Sequence, residues 1–89
     1  MEKPALLTER MVLYIKPWCP WCLDAVAWLK DRDVDFRSVD VLTDREAYAH
    51  MQKISGQSLT PTLEMPDGAV LADFDVRQLE RFLKDRTLS

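Results

Sequence analysis

Short apolar runs and amphipathic stretches succeed one another along the chain, and the period of the pattern changes in a regular order. Met11-Val12-Leu13-Tyr14-Ile15 is continuously apolar, with the length and composition of a buried strand. From Cys19 or Pro20 to about Arg32 the apolar positions recur at helical spacing. Cys22, Val26 and Leu29 form one stripe, and Trp21, Ala25 and Trp28 an adjacent one, together a wide apolar arc. Pro20 in the first turn of such a helix costs no hydrogen bond. A second strand is expected at about Asp35–Val41. The second helix opens on Thr43-Asp44-Arg45-Glu46, read as a capping box. It carries Ala47, Met51 and Ile54 with Tyr48 beside them, and stops at Gly56.

A third strand is expected at about Thr62–Met65, a turn at Pro66-Asp67-Gly68 and a fourth strand at Ala69–Ala72. The last helix starts after Asp75, with Gln78 three residues on as a second capping box. Val76, Leu79 and Leu83 form its stripe, with Phe82 alongside. The first strand–helix–strand unit requires a parallel, right-handed crossover. Strands three and four stand at hairpin distance and should be antiparallel. Without repeats, linkers or low-complexity segments, residues 1–89 read as one α/β domain, preceded by an unassigned polar lead at 1–9 that contains Pro4.

Composition narrows the class. Eighty-nine residues, 47% hydrophobic and 30% charged, suit one small soluble domain with a modest core. A net charge of −3 supplies no basic field for nucleic acid. No apolar run approaches the roughly 20 residues of a membrane span. Met1 to Arg10 lacks a signal-peptide core. Two cysteines in such a chain point to a reducing, cytoplasmic setting and to catalytic use of sulfur.

Those cysteines lie in Trp18-Cys19-Pro20-Trp21-Cys22, at the expected strand-to-helix junction. Residues three apart on a helix share a face, with Cβ atoms about 5–6 Å apart. A disulfide needs about 3.5–4.5 Å, which a first helical turn can supply with small adjustment. The dithiol can therefore open and close with little backbone movement. A structural disulfide here would close a very short loop and gain little chain entropy. A zinc site needs four ligands as a rule, and the chain offers one histidine, His50, on another segment where it reads as a surface residue. Asp31, Asp33 and Asp35 read as solvated charges, so no metal site is expected. The redox reading explains the spacing best.

Cys19, at the helix start with its side chain exposed, is the expected nucleophile. Unpartnered helix N–H groups favour its thiolate, the reactive form. Cys22, one turn deeper, is the expected resolving thiol. Lys16 either adds positive charge near the thiolate or a substrate carboxylate, or is simply solvated. Trp18 and Trp21 offer a flat apolar rim for docking, although Trp21 serves equally well as a cap on the core. Trp28 belongs to the core. Pro20 removes a backbone donor near the dithiol and so tunes its redox poise.

Lys16-Pro17-Trp18-Cys19-Pro20-Trp21-Cys22 resembles the Lys-x-x-Cys-Pro-Tyr-Cys motif of the glutaredoxins, and Gly56-Gln57-Ser58-Leu59-Thr60-Pro61 resembles their Gly-x-x-Thr-Val-Pro. The resemblance covers about Met11 to Lys84. It implies a thioredoxin-like fold, βαβαββα, with a four-stranded mixed sheet of order 2-1-3-4 and three helices. It implies a cis bond between Thr60 and Pro61 beside the dithiol, with Thr60 N–H and C=O free to pair with an extended substrate. It also implies a monomeric disulfide oxidoreductase without a tightly bound cofactor, acting on disulfide-containing proteins with glutathione as co-substrate. The glutathione-binding positions would be Lys16, Trp18, Pro20, Trp21, Thr60, Pro61, Asp73, Phe74 and Asp75.

The chain departs from the family at Ala72-Asp73, where two glycines are usual, at Leu59, where threonine is usual, and at Ser58, where a basic residue is common. These segments hold glutathione in the family, so weak glutathione binding is expected. A redoxin of the same fold reduced by thioredoxin reductase is the alternative. A module bridging an iron–sulfur cluster with glutathione, or a domain detached from a larger transferase, are readings of another class. Pro20 and the second motif cysteine argue against the cluster.

Overall fold

The structure is a computed structural model that describes residues 10–87; the lead at 1–9 lies outside the described residues. Seven elements follow in order: β1 (Met11–Ile15), α1 (Pro20–Asp31), β2 (Phe36–Asp40), α2 (Arg45–Ser55), β3 (Thr62–Glu64), β4 (Val70–Ala72) and α3 (Val76–Thr87). The strands form one mixed sheet of order β2-β1-β3-β4. β1 runs parallel to β2 and antiparallel to β3, and β3 and β4 form the expected hairpin.

The central strand is apolar throughout because both its faces are covered. Successive side chains on a strand point to opposite faces. Leu13 pairs with Leu63 and packs with Ala25 and Leu29 of α1 and with Phe74 and Leu79, so α1 and α3 cover one face. Tyr14 points the other way and packs with Val41 and Met51, which puts α2 on the second face. Leu13, Leu29, Leu63 and Leu79 are fully buried. Each stabilises the fold by about 1.5–3 kcal/mol through removal of apolar surface from water. Trp28 packs against the α1–α3 side of this core, as its stripe requires.

The helix ends follow local chemistry, with one correction. α2 is capped by Asp44, whose Oδ1 accepts the Ala47 N–H at 3.0 Å, and not by Thr43. Thr43 is committed to the preceding turn, where its N–H and its hydroxyl both donate to the Asp40 carbonyl at 3.2 Å. Gly56 ends α2 at φ +72°, as expected. The second capping box forms reciprocally: Gln78 N–H donates to Asp75 Oδ1 at 2.9 Å, and Asp75 N–H to Gln78 Oε1 at 3.0 Å. Arg86 of α3 pairs with Asp67 and ties that helix to the β3–β4 turn. Among the described residues no helix is long and apolar enough to cross a membrane.

Candidate active site

The dithiol stands where β1 gives way to α1. Lys16 to Cys19 turn back on themselves, the Cys19 N–H donating to the Lys16 carbonyl at 3.1 Å. Cys19 then serves as the N-cap of α1, with extended backbone at φ −82° and ψ 118° and Pro20 following as the first helical residue. Its sulfur accepts the Cys22 N–H at 3.4 Å. A sulfur thus occupies the place usually taken by a serine or aspartate oxygen, at the positive end of the helix.

Cys19 is not exposed as its place in the sequence suggests. Its residue exposure is 5%, because the loop before β3 folds over it. The Cys19 thiol donates to the Thr60 carbonyl at 3.8 Å, so this carbonyl is engaged in the resting protein and not free. The peptide between Thr60 and Pro61 is cis, and both residues are buried. Cys22 is fully buried, one turn deeper. Both cysteines are free thiols.

The electrostatics separate the two sulfurs. Burial pushes the Cys19 thiol up, but hydrogen bonds outweigh it. The Cys22 thiol and N–H, the Thr60 hydroxyl and the Trp21 N–H all favour the thiolate, and the net direction is down. Burial pushes the Cys22 thiol up to about 11, the neighbouring Cys19 sulfur adding to the rise. The Thr60 hydroxyl and the Lys16 backbone only partly oppose it.

The Lys16 ammonium is turned toward the loop that precedes β3. It donates to the Ser58 carbonyl at 3.4 Å and lies 5.9 Å from the Trp18 ring and 5.6 Å from that of Tyr48. Trp18 and Trp21 form the expected apolar rim, 69% and 58% exposed, and Trp21 does not cap the core. Pro20, between them in sequence, is exposed as well. On the far side the Asp73 N–H donates to the Pro61 carbonyl at 2.8 Å, which brings the start of α3 to the dithiol. A cavity of about 250 Å³ there is lined by Trp21, Asp73, Phe74, Asp75 and Gln78. Phe74 lines this cavity and is also almost wholly buried in the core. Asp73 keeps a left-handed backbone, φ +55°, at the place where the resembled motif has two glycines. Aspartate tolerates this conformation better than most side chains.

Two groups at or near the site have no signature in the local sequence pattern. Gln57 braces the loop that carries Thr60. Its Oε1 accepts the Leu59 N–H at 2.6 Å, and its Nε2 reaches Ser55 Oγ at 3.0 Å and Thr62 Oγ1 at 3.2 Å. On the other face of the sheet Tyr14 donates to Glu64 Oε1 at 2.6 Å, and His50 Nε2 lies 3.2 Å from the same oxygen. Burial and this carboxylate push the Tyr14 phenol up. His50 is on the surface as expected, beside the Glu64 carboxylate. No cluster of three or more His, Cys, Asp or Glu able to hold a metal occurs among the described residues.

Comparison with known proteins agrees with this geometry. The glutaredoxin family model matches residues 11–70, from β1 through the dithiol and Thr60-Pro61 to the start of β4. The chain belongs to the glutaredoxin family. It is similar to an uncharacterized glutaredoxin-like 8.6 kDa protein in the rubredoxin operon of Clostridium pasteurianum, 29% identical over 81% of this chain and 95% of that one. A glutaredoxin of Pseudomonas aeruginosa is 28% identical over 80% of this chain and 84% of its own length. The crystal structure of a mutant of the thioredoxin-like protein BC3987 superposes with a TM-score of 0.75 at 30% identity, over 83% of this chain and 99% of that one. As a glutaredoxin the chain carries a thiol-redox fold with its two cysteines side by side. Asp73 and α3 lie beyond the span that the family model matches.

Proposed function

We propose that this glutaredoxin is a dithiol–disulfide oxidoreductase that reduces protein or glutathione mixed disulfides with electrons from glutathione. The observation that carries the reading is the division between the sulfurs: one capped and lowered at the helix start, the other fully buried and raised to about 11. The Cys19 thiolate attacks one sulfur of the target disulfide. A mixed disulfide forms, and the first target thiolate leaves and takes up a proton. Burial keeps the Cys22 thiol protonated until then, with the Cys19 sulfur adding to the effect. Once Cys19 is bonded to the substrate that second contribution disappears, and Cys22 becomes easier to ionise. Cys22 then attacks Cys19, releases the second target thiol and leaves a Cys19–Cys22 disulfide. Two glutathione molecules return this disulfide to the dithiol and leave as oxidised glutathione. The reaction needs neither metal nor bound cofactor, and the chemistry suits a reducing cytoplasm.

A second reading, electrons from a thioredoxin reductase, is favoured by one observation. Asp73 and Asp75 both line the cavity beside Trp21, where a glutathione carboxylate would meet like charge. Two like charges about 6 Å apart repel by about 3 kcal/mol at an effective dielectric near 20, and by less in water. Turnover of a model disulfide with glutathione and glutathione reductase, run beside thioredoxin reductase, tests both. Turnover with the first pair supports glutathione as donor. Turnover only with the second favours the redoxin reading, and none with either contradicts oxidoreductase function.

A further inference from the structure

The stretch that ends at Thr60 is not held by its own backbone. Residues 57–60 make no backbone–backbone hydrogen bond among the described residues. Side chains hold them instead, and Gln57 supplies most of the contacts. Its Oε1 accepts the Leu59 N–H at 2.6 Å. A backbone N–H can only donate, so this contact settles which end of the amide is the oxygen. Nε2 then faces three oxygens: Ser55 Oγ at 3.0 Å, Thr62 Oγ1 at 3.2 Å and the Leu59 carbonyl at 3.3 Å. Thr62 Oγ1 also donates to the Leu59 carbonyl at 2.9 Å, which closes the frame. Both ends of the frame are anchored in packed elements. Ser55 Oγ donates to the carbonyl of Met51 in α2 at 2.6 Å, and Thr62 of β3 is fully buried. Thr60 and Pro61 stand between Leu59 and Thr62, the two residues gripped. The amide makes no hydrogen bond to Thr60 itself. Thr60 in turn faces the dithiol, its carbonyl 3.8 Å from the Cys19 sulfur and its hydroxyl favouring the thiolate. Hydrogen bonds weaken steeply with misalignment, so what Thr60 does for the sulfur depends on how firmly this stretch is held.

We propose that Gln57 is a positioning residue for disulfide exchange, its amide gripping Leu59 and Thr62 so that the Thr60 between them keeps its place against the Cys19 sulfur. Without the amide, residues 57–60 have no backbone hydrogen bonds to fall back on, and Thr60 turns away from the dithiol. Cys19 keeps the helix end and the Cys22 N–H but loses the contribution of Thr60. Less thiolate is then present near neutral pH, while the thiolate that does form attacks as before. The inference rests on the reading of Cys19 as the attacking sulfur and goes beyond it in assigning a residue, outside the dithiol and its immediate contacts, that keeps this sulfur reactive.

The test follows alkylation of Cys19 by iodoacetamide in the reduced full chain from about pH 5 to about pH 10, read by mass spectrometry. Gln57→Ala and Gln57→Met both remove the amide, and the second keeps the length of the side chain should the first fail to fold. In both, the midpoint of the pH profile should move up. The rate near neutral pH should fall roughly two- to tenfold, while the rate on the alkaline side changes by less than about twofold. Thr62→Val removes Oγ1 from the other end of the frame and keeps the branched shape, so it should move the midpoint the same way. Combined with Gln57→Ala it should add little, since both act through one network. A midpoint that stays in place in both Gln57 variants, with only urea stability lowered, would make the amide a structural brace and overturn the positioning role. Equal slowing at every pH would overturn it as well. If the unaltered chain is alkylated first at Cys22, the reading of Cys19 as the attacking sulfur fails, and the role of Gln57 with it.

Discussion

The Cys19 sulfur stands 3.8 Å from the carbonyl oxygen of Thr60, a residue 41 positions away, and this contact joins the dithiol helix to the loop before β3. The hydroxyl of the same Thr60 favours the thiolate form of each cysteine. One residue from the loop that leads into the neighbouring strand thus helps set the ionisation of both cysteines.

Removal of that hydroxyl should be measurable. Thr60→Val keeps the branched shape and removes the donor. A neutral hydrogen bond contributes about 0.5–1.5 kcal/mol, so the pKa of Cys19 should rise and its alkylation near pH 7 should slow roughly two- to tenfold. Iodoacetamide kinetics followed by mass spectrometry read this directly. Unchanged kinetics would show that the hydroxyl plays no part.

The two thiols should separate with pH. Alkylation of Cys19 should rise with pH with its midpoint below the ordinary value of 9.0. Cys22 should stay largely unreactive until the pH nears about 11. The sign for stability follows. Cys22 is raised in the folded chain, so its contribution is present below the ordinary thiol value and is lost as pH climbs through about 9 to 11. Cys19 is lowered, so its contribution is present above the ordinary value and is lost as pH falls through the folded one. Denaturation of the reduced chain in urea across this range, compared with Cys22→Ser, checks the first sign.

Gln57 should matter beyond its place in a loop. Its amide holds Ser55, Leu59 and Thr62 together beneath Thr60. Gln57→Ala should destabilise the fold by roughly 0.5–1.5 kcal/mol, since the Leu59 N–H loses its amide partner, and should slow disulfide exchange as well. Urea denaturation and exchange rates with a model disulfide give the two numbers. Full stability in the variant would mean that the loop holds without this brace.

Most of the architecture could be read from local pattern. The buried run at β1, the stripe of α1, Gly56 after α2 and the Asp75–Gln78 box each correspond to an observed element or cap. Local pattern falls short where two signals compete, as at Thr43 and Asp44, or where distant segments meet. Cys19 reads as exposed when only its own helix is considered. It is covered because the loop before β3 returns across it, and nothing near Cys19 in the chain records that return. Trp21 left its stripe for the rim because α1 turns Cys22, Ala25 and Leu29 inward. Lys16 points at Ser58 for the same long-range reason. The Tyr14–Glu64–His50 contacts join three elements, and no spacing in the chain announces them.

The account turns on which sulfur attacks. Cys22→Ser, incubated near neutral pH with a peptide mixed disulfide and analysed by mass spectrometry after proteolysis, tests it most directly. The account predicts a stable peptide adduct on Cys19 in Cys22→Ser and none in Cys19→Ser. An adduct on Cys22 in the Cys19→Ser protein, formed as fast as the first, would contradict it.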